Sequence, residues 1–305
     1  MKGERIVRYL WLALNLVVNY ILIDAVCSLF LPLPDLWAAI IALAIIALSL
    51  SPLAESINRM IYGCRPATRE EMEKMRTAWE AVTQAAAAKL PETKRHKYNP
   101  QLFVSDEEFP NAFALGTRTV CVTRGMLYGA NEDELAGTMA HELGHLWYGD
   151  TKIRSVAVTM NMAGNICAWI LTLVFIVFDV IMRVFQGVGT VSGGAGVGLG
   201  ISVVRVFLWL FAMLAKAILW VLNRLISLGM LAVGRKEEFR ADAFAREIGF
   251  GGGLVSVLHK MEGVDPPTRG AWAALERSHP PIPLRIERLT DAARGNATPG
   301  TTLEM

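Results

Sequence analysis

The chain has 305 residues, of which 53% are hydrophobic and 19% charged, and its formal net charge is +2. Its mean hydropathy of +0.38 is too apolar for an ordinary soluble enzyme, and the small net charge gives no reason to expect a nucleic-acid partner. The apolar residues fall into four blocks that can cross a hydrocarbon core, which needs roughly 20 helical residues. Composition therefore predicts a mainly α integral membrane protein.

The first two apolar blocks, at about 9–30 and 36–53, are joined by a turn that contains two prolines. They predict an N-terminal transmembrane hairpin within residues 1–55. A cleaved signal peptide is the alternative for the first block, because basic residues precede it. The length of the apolar run and the second block directly after it argue against that alternative.

The polar segment 56–150 predicts the first half of a catalytic domain. Thr68 and Glu71 have the spacing of a capping box for a helix at 69–89. Short strand-like runs follow and predict a small antiparallel sheet. These runs lie at 101–104, 112–115 and 118–123.

A second capping-box pattern opens a helix predicted at about 131–148, and this helix contains His141, Glu142 and His145. Residues four apart share a helix face, so both imidazoles can reach one metal ion. Glu142 lies on the adjoining edge, where it can accept a proton from a water molecule that the metal activates. The alternative is a chance pair of histidines on an amphipathic helix.

The third and fourth apolar blocks, at about 156–185 and 201–222, predict a second transmembrane hairpin within residues 151–234. The glycine-rich stretch 187–200 between them is predicted to be a short flexible loop on the far side. Basic residues flank all four blocks on one side. This pattern predicts four spans, with both termini and the catalytic domain on the cytoplasmic side of the cell (inner) membrane.

The second polar segment, residues 235–292, places Glu238 and Asp242 at i, i+4 spacing on a helix predicted to open at residue 237, separate from the fourth block, and to end near residue 248. A catalytic zinc takes three protein ligands and leaves one position for water. Glu238 would be the third ligand, and Asp242 would orient a ligating histidine. The alternative is a solvated acidic first turn. The tail at 293–305 is predicted to be disordered.

Together these residues resemble the HtpX-type membrane zinc metallopeptidases, which share a peptidase family with the CAAX prenyl proteases. The resemblance covers about residues 10–289 and implies a zincin-type (gluzincin) α+β domain. It also implies one Zn²⁺ per chain, ligated by His141, His145 and Glu238. The matching motifs are Asn111-Ala112-Phe113-Ala114, His141-Glu142-Leu143-Gly144-His145, Glu238-Phe239-Arg240-Ala241-Asp242, Ser278-His279-Pro280-Pro281 and Arg285-Ile286.

The resemblance implies roles for three further residues. Asn111 would lie on or beside an edge strand that holds the substrate backbone in extended form. His279 would donate a hydrogen bond to the oxyanion, and Arg285 would help to hold the substrate or the site. The alternatives are turn formation before a strand for Asn111 and an ordinary loop histidine for His279.

The sequence therefore predicts a zinc-dependent endopeptidase with polypeptide substrates, chiefly membrane-associated or misfolded proteins, in protein quality control and stress response. Only a few residues separate the predicted metal site from the apolar blocks, which favours substrates at the membrane face. A CAAX-type prenyl-protein protease is one alternative, although that relative has more spans. A sensor protease would need a larger far-side domain. A non-enzymatic membrane scaffold is the alternative from another class.

Overall fold

A computed structural model of the protein describes residues 2–92, 99–192, 195–262 and 280–295. Helices dominate this part of the chain and accompany one four-stranded sheet. The helices are α1 (Lys2–Phe30), α2 (Pro34–Ser49), α3 (Pro52–Ile61), α4 (Arg69–Ala88), α5 (Arg124–Gly129), α6 (Glu132–Tyr148), α7 (Asp150–Ser192), α8 (Ala195–Glu247), α9 (Gly251–Met261) and α10 (Ile282–Gly295). The strands are β1 (Cys64–Pro66), β2 (Gln101–Ser105), β3 (Ala112–Leu115) and β4 (Thr119–Thr123).

The chain forms two compact units, and it passes from one to the other more than once. The apolar unit combines Met1–Ile46 with Ala157–Met230, and the polar unit combines Ala47–Val156 with Leu231–Met305. Each unit is therefore assembled from two segments that are distant in sequence.

Long apolar helices make this a multi-pass membrane protein. In the described residues, three helical segments are long and apolar enough to cross a membrane: Ile6–Phe30, Asp150–Val188 and Leu199–Glu247. The helices α2 and α3 pass the same requirement only when they are taken together, and the chain bends by 65° between them. The number of candidate spans is thus three, or four if the bent pair is one span.

Buried asparagines join helices within the apolar unit. Asn15 and Asn19 of α1 each donate a side-chain hydrogen bond to Oδ1 of Asn161 in α7, both at 2.8 Å. Gly164 permits this approach, since a Cβ at this position would lie 1.9 Å from Oδ1 of Asn19. Such interhelical hydrogen bonds between polar side chains are a common way to join helices in a membrane.

Two predicted boundaries in the second hairpin are wrong. The stretch predicted as a loop at 187–200 is helical wherever the structure describes it, because α7 continues to Ser192 and α8 begins at Ala195. The predicted break before Glu238 is also missing, since α8 runs on to Glu247. No proline interrupts α8, and its glycines lower helix propensity without preventing a helix.

The sheet is mixed, so the prediction of an antiparallel sheet is wrong. The strand order is β1-β2-β4-β3, in which β2 and β4 are parallel and the other pairs antiparallel. The cause is the β3–β4 hairpin: β3 pairs on the outer side of β4, so the chain returns in the direction of β2. This topology leaves β3 at an edge, and the sequence did not predict β1 at the other edge.

Helix α6 lies at the centre of the polar unit because two glycines allow other helices to approach its backbone. A Cβ at Gly137 would lie 2.2 Å from the backbone nitrogen of Leu254 in α9. At Gly144, a Cβ would lie 3.0 Å from the Cα of Ala241 in α8. The close contact at Gly144 brings the predicted third ligand segment against the helix that carries the two histidines.

Candidate metal centre

The ends of α6 are fixed by local hydrogen bonds. The predicted capping box is confirmed: Asn131 Oδ1 accepts from the backbone of Glu134 at 2.9 Å, and Glu134 accepts from the backbone of Asn131 at 2.9 Å. Gly149 ends the helix in the left-handed region, with φ of 71°. The helix thereby presents His141, Glu142 and His145, all buried, at a fixed spacing.

Glu238 of α8 reaches both histidines. Its Oε2 lies 3.4 Å from Nε2 of His141, and its Oε1 lies 3.3 Å from Nε2 of His145. Ligand atoms of the three residues all lie within 4.8 Å of one another, and all three residues are buried. Two imidazole nitrogens and a carboxylate oxygen are a donor set that suits zinc, so the residues present fit the expected ion.

A second carboxylate holds the other ring nitrogen of each histidine. Asp242 lies beside His141, with 2.9 Å between its Oδ1 and Nδ1 of the imidazole. Asp150 lies beside His145, with 3.1 Å between its Oδ2 and Nδ1. Each carboxylate fixes the orientation of the ring and leaves Nε2 directed at Glu238.

The sequence reasoning missed Asp150. It lies directly after Gly149, the left-handed residue that ends α6, and its carboxylate contacts His145 in the last turn of that helix. The sequence signal that could have identified it is Gly149-Asp150, a helix-ending glycine followed by an acidic residue shortly after His145. Arg240 of α8 also contacts the Asp150 carboxylate, so this side chain links α8 to the start of α7.

Arg285 of α10 is buried in the site and binds Asp242 in a two-point contact. Its Nε and Nη2 donate to the two carboxylate oxygens at 2.9 and 2.6 Å. Its Nη1 lies 3.5 Å from Oε2 of Glu238. Although burial acts to lower it, the pKa of Arg285 is raised by Asp242. These contacts place the guanidinium where it holds the carboxylates of the site.

Carboxylates control the charge of the two histidines. Although burial acts to lower it, the pKa of His145 is raised to about 10 by hydrogen bonds to Asp150 and Glu238. The pKa of His141 is raised as well, since contacts with Asp242 and Glu238 outweigh burial and the nearby Arg285. A metal ion that binds the two imidazoles would therefore have to compete with the protons that these carboxylates favour on the rings.

A cavity of about 280 Å³ opens beside this cluster. His141, Glu142 and Glu238 line one side, and Asn111 and Ala112 line another. Asn111 directly precedes the edge strand β3, where its Oδ1 accepts from the backbone of Ala112 at 2.9 Å. The residue thus has the local contact expected of a turn former and also lies in the cavity.

The predicted oxyanion donor, His279, lies outside the described residues. The next residue, Pro280, lines the cavity. The structure therefore brings together all the predicted site residues that it describes: His141, Glu142, His145, Glu238, Asp242, Asn111 and Arg285.

Comparison with known proteins gives matches over most of the chain. Residues 73–293 match peptidase family M48. A protein named Protease HtpX homolog from Ligilactobacillus salivarius is 30% identical over 224 residues, which cover 62% of this chain and 66% of that protein. A protein of the same name from Thermoanaerobacter pseudethanolicus is 29% identical over 248 residues, or 74% of each chain.

A solved structure shows the same fold. The crystal structure of S. mikatae Ste24p superposes with a TM-score of 0.52 at 16% sequence identity. The superposition covers 89% of this chain and 62% of the Ste24p chain. At this identity the likeness concerns the fold alone.

Proposed function

The chain belongs to peptidase family M48, and we propose that it is a membrane zinc endopeptidase that cleaves membrane-associated or misfolded proteins at the cytoplasmic membrane face. Membership of this family confirms the predicted enzyme class, a metallopeptidase hydrolase, and the resemblance to the HtpX-type enzymes. The observation that carries the proposal is the buried cluster of His141, His145 and Glu238, with Glu142 in the same cavity.

The proposed cofactor is one Zn²⁺ per chain, held by His141, His145 and Glu238. When bound, zinc would supply Lewis-acid activation of water and of the peptide carbonyl. Asp242 and Asp150 would hold the two imidazoles in the orientation that directs Nε2 at the ion. Arg285 would keep Asp242 in place through its two-point contact.

Glu142 is the proposed general base. Its carboxylate would accept a proton from the attacking water and later donate that proton to the departing amine. The proposed partner for the oxyanion is His279, as the family resemblance implies. A hydrogen-bond donor aimed at the developing negative charge would stabilise the tetrahedral transition state.

Substrate would bind in extended form along β3. The outer edge of this strand is unpaired within the four-stranded sheet, and a polypeptide can add to such an edge through backbone hydrogen bonds. Asn111 lies where β3 meets the cavity, so it would hold substrate backbone next to Glu142. Leu254, Val257 and Met261 form part of the cavity wall and offer an apolar surface to a substrate side chain.

The proposed topology has four spans, both termini in the cytoplasm and the lipid bilayer as a partner. Basic residues flank the four apolar blocks on the same side, which supports this orientation. His145 lies close in sequence to the apolar part of α7, and Glu238 lies on the helix that contains the fourth block. This short connection supports substrates at the membrane face, and the resemblance to the HtpX-type enzymes supports a role in protein quality control.

Glu142→Gln tests the proposed reaction. The amide cannot accept the proton, but the metal ligands remain, so we expect zinc content to stay at the wild-type level and peptide cleavage to be lost. Glu132→Gln is the matched control, because Glu132 is an exposed residue in the first turn of the same helix. A zinc-loaded Glu142→Gln enzyme that still cleaves would refute the proposed role.

Two further measurements address the alternatives. A purified wild-type protein without zinc would support a non-enzymatic scaffold. Cleavage of a prenylated CAAX peptide in preference to an unfolded membrane protein would support a CAAX-type protease. Proteomic comparison of membranes from cells with the wild-type and Glu142→Gln proteins would show which class of protein accumulates.

A further inference from the structure

Helix α3 concentrates its apolar side chains on one face. Leu53, Ile57, Met60 and Ile61 follow the i, i+4, i+7, i+8 spacing that aligns residues along one side of a helix. Glu55 and Arg59 lie on the opposite side. The helix is therefore amphipathic over its full length of 10 residues.

The exposure of these two faces is inverted relative to a helix of a soluble protein. The apolar side chains point away from the protein: Met60 is 75% exposed, Ile61 68% and Leu53 59%. The charged Glu55 is only 4% exposed. A helix on a soluble domain buries its apolar side and leaves its polar side in water. The exposed apolar face of α3 therefore needs an apolar environment outside the chain.

The polar face of α3 is held by the turn between β3 and β4. Glu55 Oε2 accepts from the backbone and hydroxyl of Thr117 at 3.0 and 2.9 Å. Its Oε1 accepts from the backbone of Arg118 at 3.1 Å and from the hydroxyl of Thr119 at 2.7 Å. Gly116 completes the fit, because it has φ of 58° and a Cβ there would lie 2.5 Å from the Glu55 carboxyl carbon.

Chain continuity identifies the apolar environment as lipid. Only two residues separate α3 from α2, which carries no charged residue after Asp35. The 16 residues of α2 extend over ~24 Å, whereas a hydrocarbon core is about 30 Å thick. In the proposed four-span topology α2 starts at one membrane surface, so its end lies at or near the opposite surface, where α3 begins.

A position of α3 deep in the hydrocarbon core conflicts with its partners. Glu55 is hydrogen-bonded to the turn at Thr117 to Thr119, so this turn must lie at the same depth as α3. Its polar backbone and the charged Arg118 would then have to enter the hydrocarbon core. A position at the interface satisfies both faces. Amphipathic helices of this kind bury their apolar face about 5–10 Å into the boundary between headgroups and acyl chains.

We propose that α3 is a lipid-interface helix: its apolar face inserts at the membrane surface, while its polar face holds the β3–β4 turn. This inference goes beyond the proposed reaction and does not depend on zinc or on cleavage. Its consequence is that the edge strand beside the metal site is fixed at the level of the lipid headgroups. The start of α7 supports the same turn, since the hydroxyl of Thr151 donates to the carbonyl of Gly116 at 2.6 Å.

Spin labels in lipid nanodiscs test the proposal on the full chain. With the four native cysteines replaced, single cysteines are placed at Met60, at Arg69 and at Leu173. Arg69 has a side chain that is 93% exposed on a charged helix and gives the water reference. Leu173 is 61% exposed in the apolar part of α7 and gives the lipid reference. The measurement is relaxation of each label by oxygen, which concentrates in lipid, and by a water-soluble nickel chelate.

We expect the label at Met60 to lie between the two references, with more relaxation by oxygen and less by the nickel chelate than at Arg69, but less relaxation by oxygen than at Leu173. Relaxation equal to that at Leu173 would place the face deep in the hydrocarbon core and overturn the proposal. Relaxation by nickel at the level of Arg69 would place the face in water and overturn the proposal. Shielding from both reagents would show a protein partner, such as a second copy of the chain, and would overturn it too. Ile61→Cys repeats the measurement if Met60→Cys does not fold, since Ile61 lies on the same face.

Discussion

Helices α6 and α3 both place side chains where soluble proteins rarely have them, but their partners differ. In α6, the buried His141 and His145 contact carboxylates from other parts of the same chain. In α3, the exposed Met60 and Ile61 point away from the polar unit that contains the helix. Contacts within the protein explain why the polar side chains of α6 are buried. The exposed apolar side chains of α3 can be explained only by what surrounds the protein.

The largest effect is expected for Glu238→Gln. An amide is a much poorer zinc ligand than a carboxylate, so we expect near-complete loss of zinc from the purified protein and of peptide cleavage with it. Metal analysis and a cleavage assay measure both. Glu247→Gln, an exposed carboxylate at the end of the same helix, should leave both unchanged. If Glu238→Gln keeps its zinc, Glu238 is not the third zinc ligand.

An intermediate effect is expected for Asp150→Asn. The neutral amide binds Nδ1 of His145 more weakly, so we expect zinc affinity to fall roughly 10–100-fold, as for other partners of metal-binding histidines. Competition with a chelator measures the affinity. Cleavage should recover at saturating zinc, because Glu142 and the ligands are intact.

The exposed Asp133 on the first turn of α6 gives the matched control, Asp133→Asn. A purely structural role of Asp150 would instead lower the thermal stability and leave zinc affinity unchanged. That result would show that the contact between Asp150 and His145 does not affect zinc affinity.

The smallest effect is expected for Glu55→Gln, at the point where α3 meets the site-bearing hairpin. One acceptor oxygen is replaced by a donor that faces other donors, which should cost about 1–3 kcal/mol. We expect a lower unfolding midpoint and faster hydrogen exchange at the amides of Thr117 and Arg118. Glu73→Gln is the control, because this exposed partner of Arg69 should change stability by less than about 1 kcal/mol. If hydrogen exchange at Thr117 and Arg118 is unchanged, Glu55 of α3 does not stabilise the β3–β4 turn.

Much of the polar unit was predictable because its signals are local. The two capping boxes, at Thr68 and Asn131, are present as predicted. The spacing of His141 and His145 specifies a shared helix face without any knowledge of the fold. The helix around Glu238 was also predicted, although its start was placed too late.

The remaining features depend on contacts between distant segments. The parallel pairing of β2 with β4 follows from where β3 packs, and no local pattern encodes that. Asp150 gains its role because the left-handed Gly149 ends α6 and leaves the next residue beside His145. The boundaries of α3 were missed because its apolar residues continue those of α2, although Ser51 caps α3 and Pro52 begins it.

The unbroken course of α8 affects when the metal site can form during protein synthesis. During synthesis, domains form from the N-terminus onward, so His141 and His145 emerge before the second pair of apolar helices. Glu238 follows only near the end of α8. A nascent chain therefore holds two of the three proposed ligands until that hairpin has been made. The order of the ligands in the chain would delay the completed metal site, and with it any cleavage, until the membrane helices exist.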